Sequence, residues 1–380
     1  MASLYDRLKS AQPIKAAEPR AVQQECLVVT KRVSLGKVPD IFPAPMMADI
    51  SNQHVPNDLL PQDLLFLDTE TTGLSRGAGT IAFLIGYGQI KGNELHITQV
   101  LMRDYHQEIL LLKDLTNRLQ SSQCLLTYNG TSFDLPLLQG RLVMNRLQTD
   151  VSSLMHLDLL HAARRIFRMR LGRCPLIRLE EMLFGFVRED DLPGSEVPAR
   201  YFEYLKQQNE ALLRDVLEHN QQDIHSLALL FLRLVQVYTK PHEIAHQQDL
   251  FSLGRVYERQ GQKERAISCY KACSEKAVRD IARLRMAEIL RKQRRDNEAL
   301  AAYETLRQSR SVSPQVYISL AKIYEHRFRD PARALEIAKQ GMLYCSERFG
   351  FLAQEDADFL DLQHRSLRLR RKVDKAREMD

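Results

Sequence analysis

The sequence predicts an α/β layer domain followed by an all-α domain of helical repeats. Three observations carry that reading. Short apolar runs at 64–68, 83–90, 94–102 and 123–128 have the length and the bounding residues of strands. Helical patterns at 106–120, 132–145, 158–170 and 208–238 alternate with them and follow them. Past residue 246 the pattern is helical throughout and recurs at about 33 residues.

Taken in order, residues 1–60 are weakly patterned and rich in proline. They hold one strand-like run, Cys26–Thr30, and read as an extended arm. LLFLD, from Leu64, is a short apolar run of the kind a fully buried strand shows. FLIGYGQI and ELHITQVLM are separated by Lys91-Gly92-Asn93, turn chemistry that makes them a hairpin. The helix over 106–120, the strand QCLLTY and the helices over 132–145 and 158–170 follow. The long helical pattern at 208–238 stops just before Pro241. Together these make a mixed sheet flanked by helices over 61–239.

Beyond a short connection at 240–246, Leu253, Gly254, Tyr257, Ala266 and Tyr270 form a unit. Met286, Ala287, Leu290, Ala299 and Tyr303 repeat it. Leu320, Ala321, Tyr324 and Ala334 repeat it again, with one residue inserted at Arg329-Asp330-Pro331. The pattern resembles the tetratricopeptide repeat, where small residues let paired helices approach and aromatics fill the groove. Three units and a capping helix at about 352–376 would make a solenoid over 247–376, a surface for a protein partner. A bundle of helical hairpins is the plainer alternative.

Composition bounds the function. A chain of 380 residues has room for two domains, since one core rarely serves more than ~250–300 residues. Hydrophobic content of 44% and charged content of 27% are those of a soluble protein, and no apolar run is long enough to span a bilayer. MASLYDRLKS lacks the apolar stretch of a signal peptide, so a cytoplasmic location is expected. The six cysteines are scattered without a CxxC pair, which predicts neither disulfide nor structural zinc. A net charge of +6 favours a polyanionic partner. RRIFRMRLGR, with Arg164, Arg165 and Arg168, is read as a nucleic-acid contact. The basic tail HRSLRLRRKVDKAR is equally a solvated helix face.

Four acids carry the chemistry. Asp68 and Glu70 stand two apart at the end of the buried strand, so both point to one face. Two carboxylates at the edge of an apolar core are costly unless a cation neutralises them. Asp134 follows the strand QCLLTY directly. A solvent-facing loop acid is the bland reading there, but the Asn129-x-x-x-Phe133-Asp134 arrangement suggests an aromatic anchor holding the carboxylate. Asp223 borders the apolar stripe Ile224, Leu227 and Phe231, with His219 one turn earlier on the same face. Alone, that pair is a buried hydrogen-bonded couple or a pair of site residues.

In combination the residues match a known pattern. FLDTETTGL, YNGTSFDLPLL and HNQQDIHSL resemble the three exonuclease motifs of the DnaQ-like (DEDD) superfamily on the ribonuclease H-like fold, over roughly residues 60–239. GAGTIAFLIG, DLLHAARRI, DLPGSEVPARYFEYL and the repeats behind them resemble the bacterial YprB-type exonucleases in particular. The resemblance implies a metal-dependent 3′→5′ exonuclease, associated in this group with DNA repair. Asp68, Glu70, Asp134 and Asp223 would then bind two Mg2+ or Mn2+ ions, which suit hard oxygen ligands. The third motif departs from both subtypes, which have a Tyr four residues, or a His five residues, before the last Asp. Here His219 stands four before Asp223, and its identity suggests a general base.

The expected product is a nucleoside 5′-monophosphate. Leu74, Tyr128, Asn129 and Phe133 are candidates to touch the terminal nucleotide, although Phe133 equally fits a core position. An RNA-trimming exonuclease is the second enzyme reading, since the same carboxylates serve either sugar backbone. A catalytically silent scaffold, whose repeats bind a protein, is the reading from a different class.

Overall fold

The computed structural model describes residues 25–73, 79–151, 154–188, 192–309 and 313–377. Six strands build one mixed sheet: β1 (Leu27–Ser34), β2 (Leu64–Thr71), β3 (Ala82–Lys91), β4 (Glu94–Leu101), β5 (Cys124–Thr127) and β6 (Met155–Asp158). They lie in the order β1-β4-β3-β2-β5-β6, antiparallel from β1 to β2 and parallel from β2 to β6. β2 therefore stands inside the sheet, which is why LLFLD is apolar on both faces.

Helices α1 (Ala44–Ser51), α2 (Glu108–Gln120), α3 (Asp134–Met144), α4 (Leu159–Leu171), α5 (Val197–Gln207) and α6 (Arg214–Thr239) cover the sheet. The two-residue period of β2 sorts its side chains between two cores. Leu64 and Phe66 join one core with α1, α4 and α6, and Leu65 and Leu67 join the other with α2, α3 and α5. The ring of Phe231 on α6 meets Phe66 edge-on at 6.0 Å and Phe42 at 5.0 Å. Removing that ring by Phe231→Ala would cost about 3–5 kcal/mol, through lost burial and the void left behind.

Residues 25–60 are not an extended arm. β1 pairs with β4 along its whole length, Leu27 opposite Leu101, and α1 buries Met47 and Ile50 in the first core. The prolines fit this arrangement, because Pro43 opens α1 where its missing N–H costs nothing. The rest of that expectation, residues 1–24, lies outside the described residues. β6 and α5 are further elements that periodicity did not single out.

The repeats comprise α7 (Gln247–Arg259), α8 (Lys263–Ala272), α9 (Lys276–Lys292), α10 (Asp296–Gln308), α11 (Gln315–His326), α12 (Pro331–Phe349) and α13 (Ala357–Arg377). Gly254 on α7 lies so close to α8 that a Cβ there would stand 2.7 Å from the Tyr270 ring. Part of the basic tail is engaged within the fold. Glu325 on α11 takes Arg368 at 2.5 Å, Lys372 at 2.7 Å and Arg365 at 3.5 Å from α13.

The repeats are packed onto the sheet domain, not tethered to it. The first core runs without interruption from Phe66 to Tyr303. Arg170 on α4 pairs with Asp249 on α7 at 2.8 Å, and Asp49 on α1 pairs with Arg265 on α8 at 2.5 Å. Among the described residues no helix is long and apolar enough to cross a membrane. The six cysteines carry free thiols.

Candidate active site

The carboxylates gather at the C-terminal ends of the parallel strands. β2 is fully buried through Leu67 and opens at Asp68, and Asp68 and Glu70 continue the face that carries Leu64 and Phe66. Asp134 opens α3 straight after β5, and its Oδ1 accepts a 2.5 Å hydrogen bond from the Thr69 hydroxyl. Asp223 arrives on α6, which is laid across the Asp68 face.

One glycine sets how closely α6 approaches. Asp68 lies opposite Gly86 on β3, and a Cβ at Gly86 would fall 2.2 Å from Asn220 Oδ1. The bare position lets the buried Asn220 amide rest on the sheet, where its Nδ2 donates to Asp68 Oδ2 at 2.8 Å. Gln99 Nε2 donates in turn to Asn220 Oδ1 at 2.8 Å and to the Leu217 carbonyl at 2.9 Å. This buried chain fixes the orientation of the first carboxylate.

The acids share one electrostatic neighbourhood. Burial pushes the Asp68 carboxyl well above its ordinary pKa, and the charges of Asp223, Glu70 and Asp134 push it further. Asp134 is pushed up to about 6 by burial, against the Thr69 hydrogen bond. Burial raises Asp223 as well, while His219 in its protonated form and Arg188 pull it back.

Arg188 is the cation of this group. Its guanidinium grips Glu180 through Nε at 2.7 Å and Nη2 at 2.5 Å, and Nη2 also donates to Asp223 Oδ1. Nη1 lies 3.4 Å from His219 Nδ1. A guanidinium only donates, so this contact requires an unprotonated Nδ1, and a neutral ring then carries its hydrogen on Nε2. His219 Nε2 stands 3.8 Å from Asp223 Oδ2, too far for a hydrogen bond. The ring faces a cavity of about 570 Å³, shared with Arg188, Gln222 and His225.

The donor chemistry fits divalent cations. Four hard carboxylates crowd at one core edge, where burial raises three of them and the neighbouring acids raise Asp68 further, a cost that a bound cation would relieve. As the side chains stand, no three His, Cys, Asp or Glu among the described residues are gathered to cage an ion. Asp223 Oδ1 is turned to Arg188 and Asp68 Oδ2 to Asn220, so a cation there would compete with these donors for the carboxylates.

The remaining candidates divide. Leu74 lies outside the described residues. Tyr128 is half-buried and its hydroxyl donates to the Cys174 carbonyl, so it is engaged within the fold. Phe133 is 51% exposed and is not the core anchor that the sequence suggested. The loop is held instead by Asp158, which ends β6 and caps α4. Its Oδ1 accepts from the amides of Asn129 at 2.8 Å and Leu160 at 3.1 Å, and its Oδ2 from Thr131 at 3.2 Å. Asn129 sits in the left-handed region at φ 63°, the bend this stapling needs. Arg164 and Arg168 are exposed on α4, whereas Arg165 donates to the Ile50 carbonyl and is partly spent on the fold.

Sequence reasoning passed over Asn220, Asp158, Glu180 and Arg188. Two left a signal. Asn220 is a polar residue on the core-facing side of HNQQD, and Asp158 stands between a strand and a helix where an N-cap belongs. Glu180 and Arg188 meet through loop geometry that no periodicity reveals.

The fold and the cluster of acids have a family. The chain belongs to the RNase H superfamily, whose family model matches residues 65–235, and it carries a tetratricopeptide repeat matched at residues 250–281. It is 31% identical over 287 residues to "Uncharacterized protein YprB" of Bacillus subtilis (strain 168), a match spanning 74% of this chain and 69% of that one. Among solved structures it is similar to the family B DNA polymerase of Pyrobaculum calidifontis, with a TM-score of 0.35 and 14% identity. That match covers 61% of this chain and 33% of the polymerase, and so slight a likeness carries no argument.

Proposed function

We propose that the chain is a metal-dependent 3′→5′ exonuclease of the DEDD type that releases nucleoside 5′-monophosphates from DNA, in repair. The supporting observation is the convergence of Asp68, Glu70, Asp134 and Asp223, whose charges push up the Asp68 carboxyl at the edge of an apolar core. Two Mg2+ or Mn2+ ions held by these acids would supply an activated water and polarise the scissile phosphate.

The chain's own groups do the rest. Asn220 and Thr69 orient Asp68 and Asp134. Asp158 holds the 129–131 backbone and so presents Phe133, whose exposed ring is placed for a terminal base to stack on. His219 takes the proton of the attacking water at a ring nitrogen, and release of Nδ1 by Arg188 frees a lone pair for it. The later repeats are offered to a protein partner, where Tyr317, Tyr344 and Arg307 line a cavity with side chains that interfaces favour.

The test uses 5′-labelled single-stranded, double-stranded, nicked and gapped DNA, and RNA, in Mg2+, Mn2+ or EDTA. Stepwise shortening of DNA with mononucleotide release is expected in either metal and not in EDTA. Cleavage that persists in EDTA or in Asp68→Ala would end this reading. Preference for RNA would turn it to RNA trimming, and inertness on every substrate would favour the scaffold.

A further inference from the structure

We infer that the first helical repeat is part of the nucleic-acid site: α4 and the repeat helices α7 and α9 together form a trough for the phosphodiester backbone of a single strand. This deepens the nuclease reading and rests on it for the identity of the polyanion.

The trough is a cavity of about 1020 Å³ between the sheet domain and the repeats. Arg164, Arg165 and Arg168 line it from α4, Arg255 and Arg259 from α7, and Arg285 from α9. His161 lies at its α4 end, and among the described residues none of its lining side chains is acidic. Two of the six guanidiniums are committed within the protein, Arg165 to the Ile50 carbonyl and Arg285 to Glu258 at 3.0 Å. The guanidiniums of Arg164, Arg168, Arg255 and Arg259 have no hydrogen bond or ion pair among the described residues.

Unneutralised arginines facing one cavity repel one another, and a folded chain gains nothing from that unless an anion enters. Elsewhere at this junction the protein does pair its charges, Arg170 with Asp249 and Asp49 with Arg265. The contrast marks the trough as a place kept for something from outside. Guanidinium forks match phosphate oxygens well, and exposed Met169 (45%) and Ile281 (51%) give bases an apolar surface beside them.

Topology links the trough to the carboxylates. α4 starts at Asp158, the residue that staples the loop leading into Asp134. From there His161, Arg164, Arg165 and Arg168 follow at helical spacing along one face for roughly 10 Å, until α7 takes over with Arg255 and Arg259. A strand whose end lies at the acids thus finds a continuous row of cations leading to the repeat. That continuity favours a nucleic acid over an acidic peptide as occupant.

The experiment measures binding of a 5′-fluorescein oligothymidylate of about 20 nucleotides by anisotropy, in EDTA, across a NaCl series. It compares wild type with the variant R164A/R168A/R255A/R259A and with the pair R255E/R259E, which alters the repeat alone. Each single-strand phosphate contact contributes about 0.7 to the slope of log Kd against log salt. The fourfold variant should lower that slope by roughly 2–3, and the pair R255E/R259E should weaken binding at least ~10-fold at low salt. An unchanged slope, or binding untouched by R255E/R259E, would overturn the trough. So would a polyglutamate peptide that binds wild type more tightly than the oligonucleotide and depends on the same arginines. Melting curves for each variant guard against a folding defect, and single substitutions of the exposed Arg164 or Arg259 provide milder versions. Wild-type cleavage of the same oligonucleotide in Mn2+ is scored separately. Cleavage with an unchanged slope sinks the trough alone, and arginine-dependent binding without cleavage sinks the nuclease and leaves the trough.

Discussion

Arg188 lies between Glu180 and Asp223 and donates to both, so the acid contributed by α6 already has a cation beside it. An ion that takes Asp223 Oδ1 must displace a charge-assisted hydrogen bond of about 1.5–3 kcal/mol. Arg188→Met alone should be destabilising by about 3–5 kcal/mol, because Glu180 is left fully buried and unpaired. Adding Glu180→Gln should recover most of that loss. In the double variant Mn2+ should bind about tenfold more tightly by calorimetry, since Asp223 no longer has a competitor. An unchanged Kd would mean that Arg188 does not guard the acid.

The raised carboxyl of Asp134 sets a pH dependence. With its pKa pushed to about 6, the folded chain holds this proton more tightly than the unfolded chain does. In EDTA its contribution to stability therefore falls as pH rises from about 4 to about 6, by at most roughly 3 kcal/mol, and is level above that. Asp68, raised in the same direction, deepens the fall. Asp134→Asn should gain in melting temperature relative to wild type across that window, and should lose cleavage. A difference that stays flat with pH would contradict the burial of this carboxyl.

His219→Ala should cut turnover about 10²–10⁴-fold, the usual worth of a positioned base. The deficit should shrink at high pH, where hydroxide is available without a base. If His219 only orients Asp223, rate against Mn2+ concentration will shift instead, and activity will return at saturating metal. Titrating metal at two pH values separates the two outcomes.

Asn220→Ala should act through Asp68 without touching substrate. It leaves Gln99 Nε2 with the Leu217 carbonyl alone and Asp68 without its 2.8 Å donor, so a 10–100-fold loss of metal affinity or activity is expected. Asn220→Asp keeps the acceptor for Gln99 but adds a charge beside Asp68, and should be worse than Ala. A harmless Asn220→Asp would show that the carboxylates are not crowded.

Truncation tests the junction. Ending the chain after Lys240 removes Asp249 and Arg265, and strands the largely buried Arg170 and Asp49. Those charges return to water, but the cut also bares the apolar face where the first core continues into the repeats, at about 25 cal/mol per Å² exposed, against a total stability of ordinarily 5–15 kcal/mol. The short form should melt far below the full chain, whereas one ending at Ser309 keeps both pairs and should fold. A short form with an unchanged melting temperature would make the sheet domain self-sufficient.

Much of this was legible in the sequence, for identifiable reasons. β2 and the β3–β4 hairpin announce themselves because buried strands need uninterrupted apolar residues and Lys91-Gly92-Asn93 makes a tight turn. Asp68, Glu70, Asp134 and Asp223 stood out because each breaks an apolar pattern at its edge. β1 showed only as the run Cys26–Thr30 within an arm, since an edge strand is solvated and Lys31, Arg32 and Ser34 are exposed. Phe133 was misjudged because hydrophobicity suggests burial, while the loop is held by Asp158 from a strand of four residues. Arg188 could not be found at all, since its partners Glu180, His219 and Asp223 meet only in three dimensions.

β1 also has a meaning for how the chain is made. It emerges first in synthesis, yet its partner β4 is the fourth strand to appear. Closing so long a loop adds entropy only logarithmically, so waiting is cheap. Once β3 and β4 form their hairpin, which takes microseconds, the outer rim of β4 offers unpaired amides to any neighbouring nascent chain. Leu27–Ser34 is by then already at hand and can shield that rim before a stranger does. The rim it presents in exchange bears Lys31 and Arg32, whose like charges discourage two copies from zipping together. Deleting residues 27–34, which cover that rim in the folded sheet, should therefore send newly made protein into inclusion bodies.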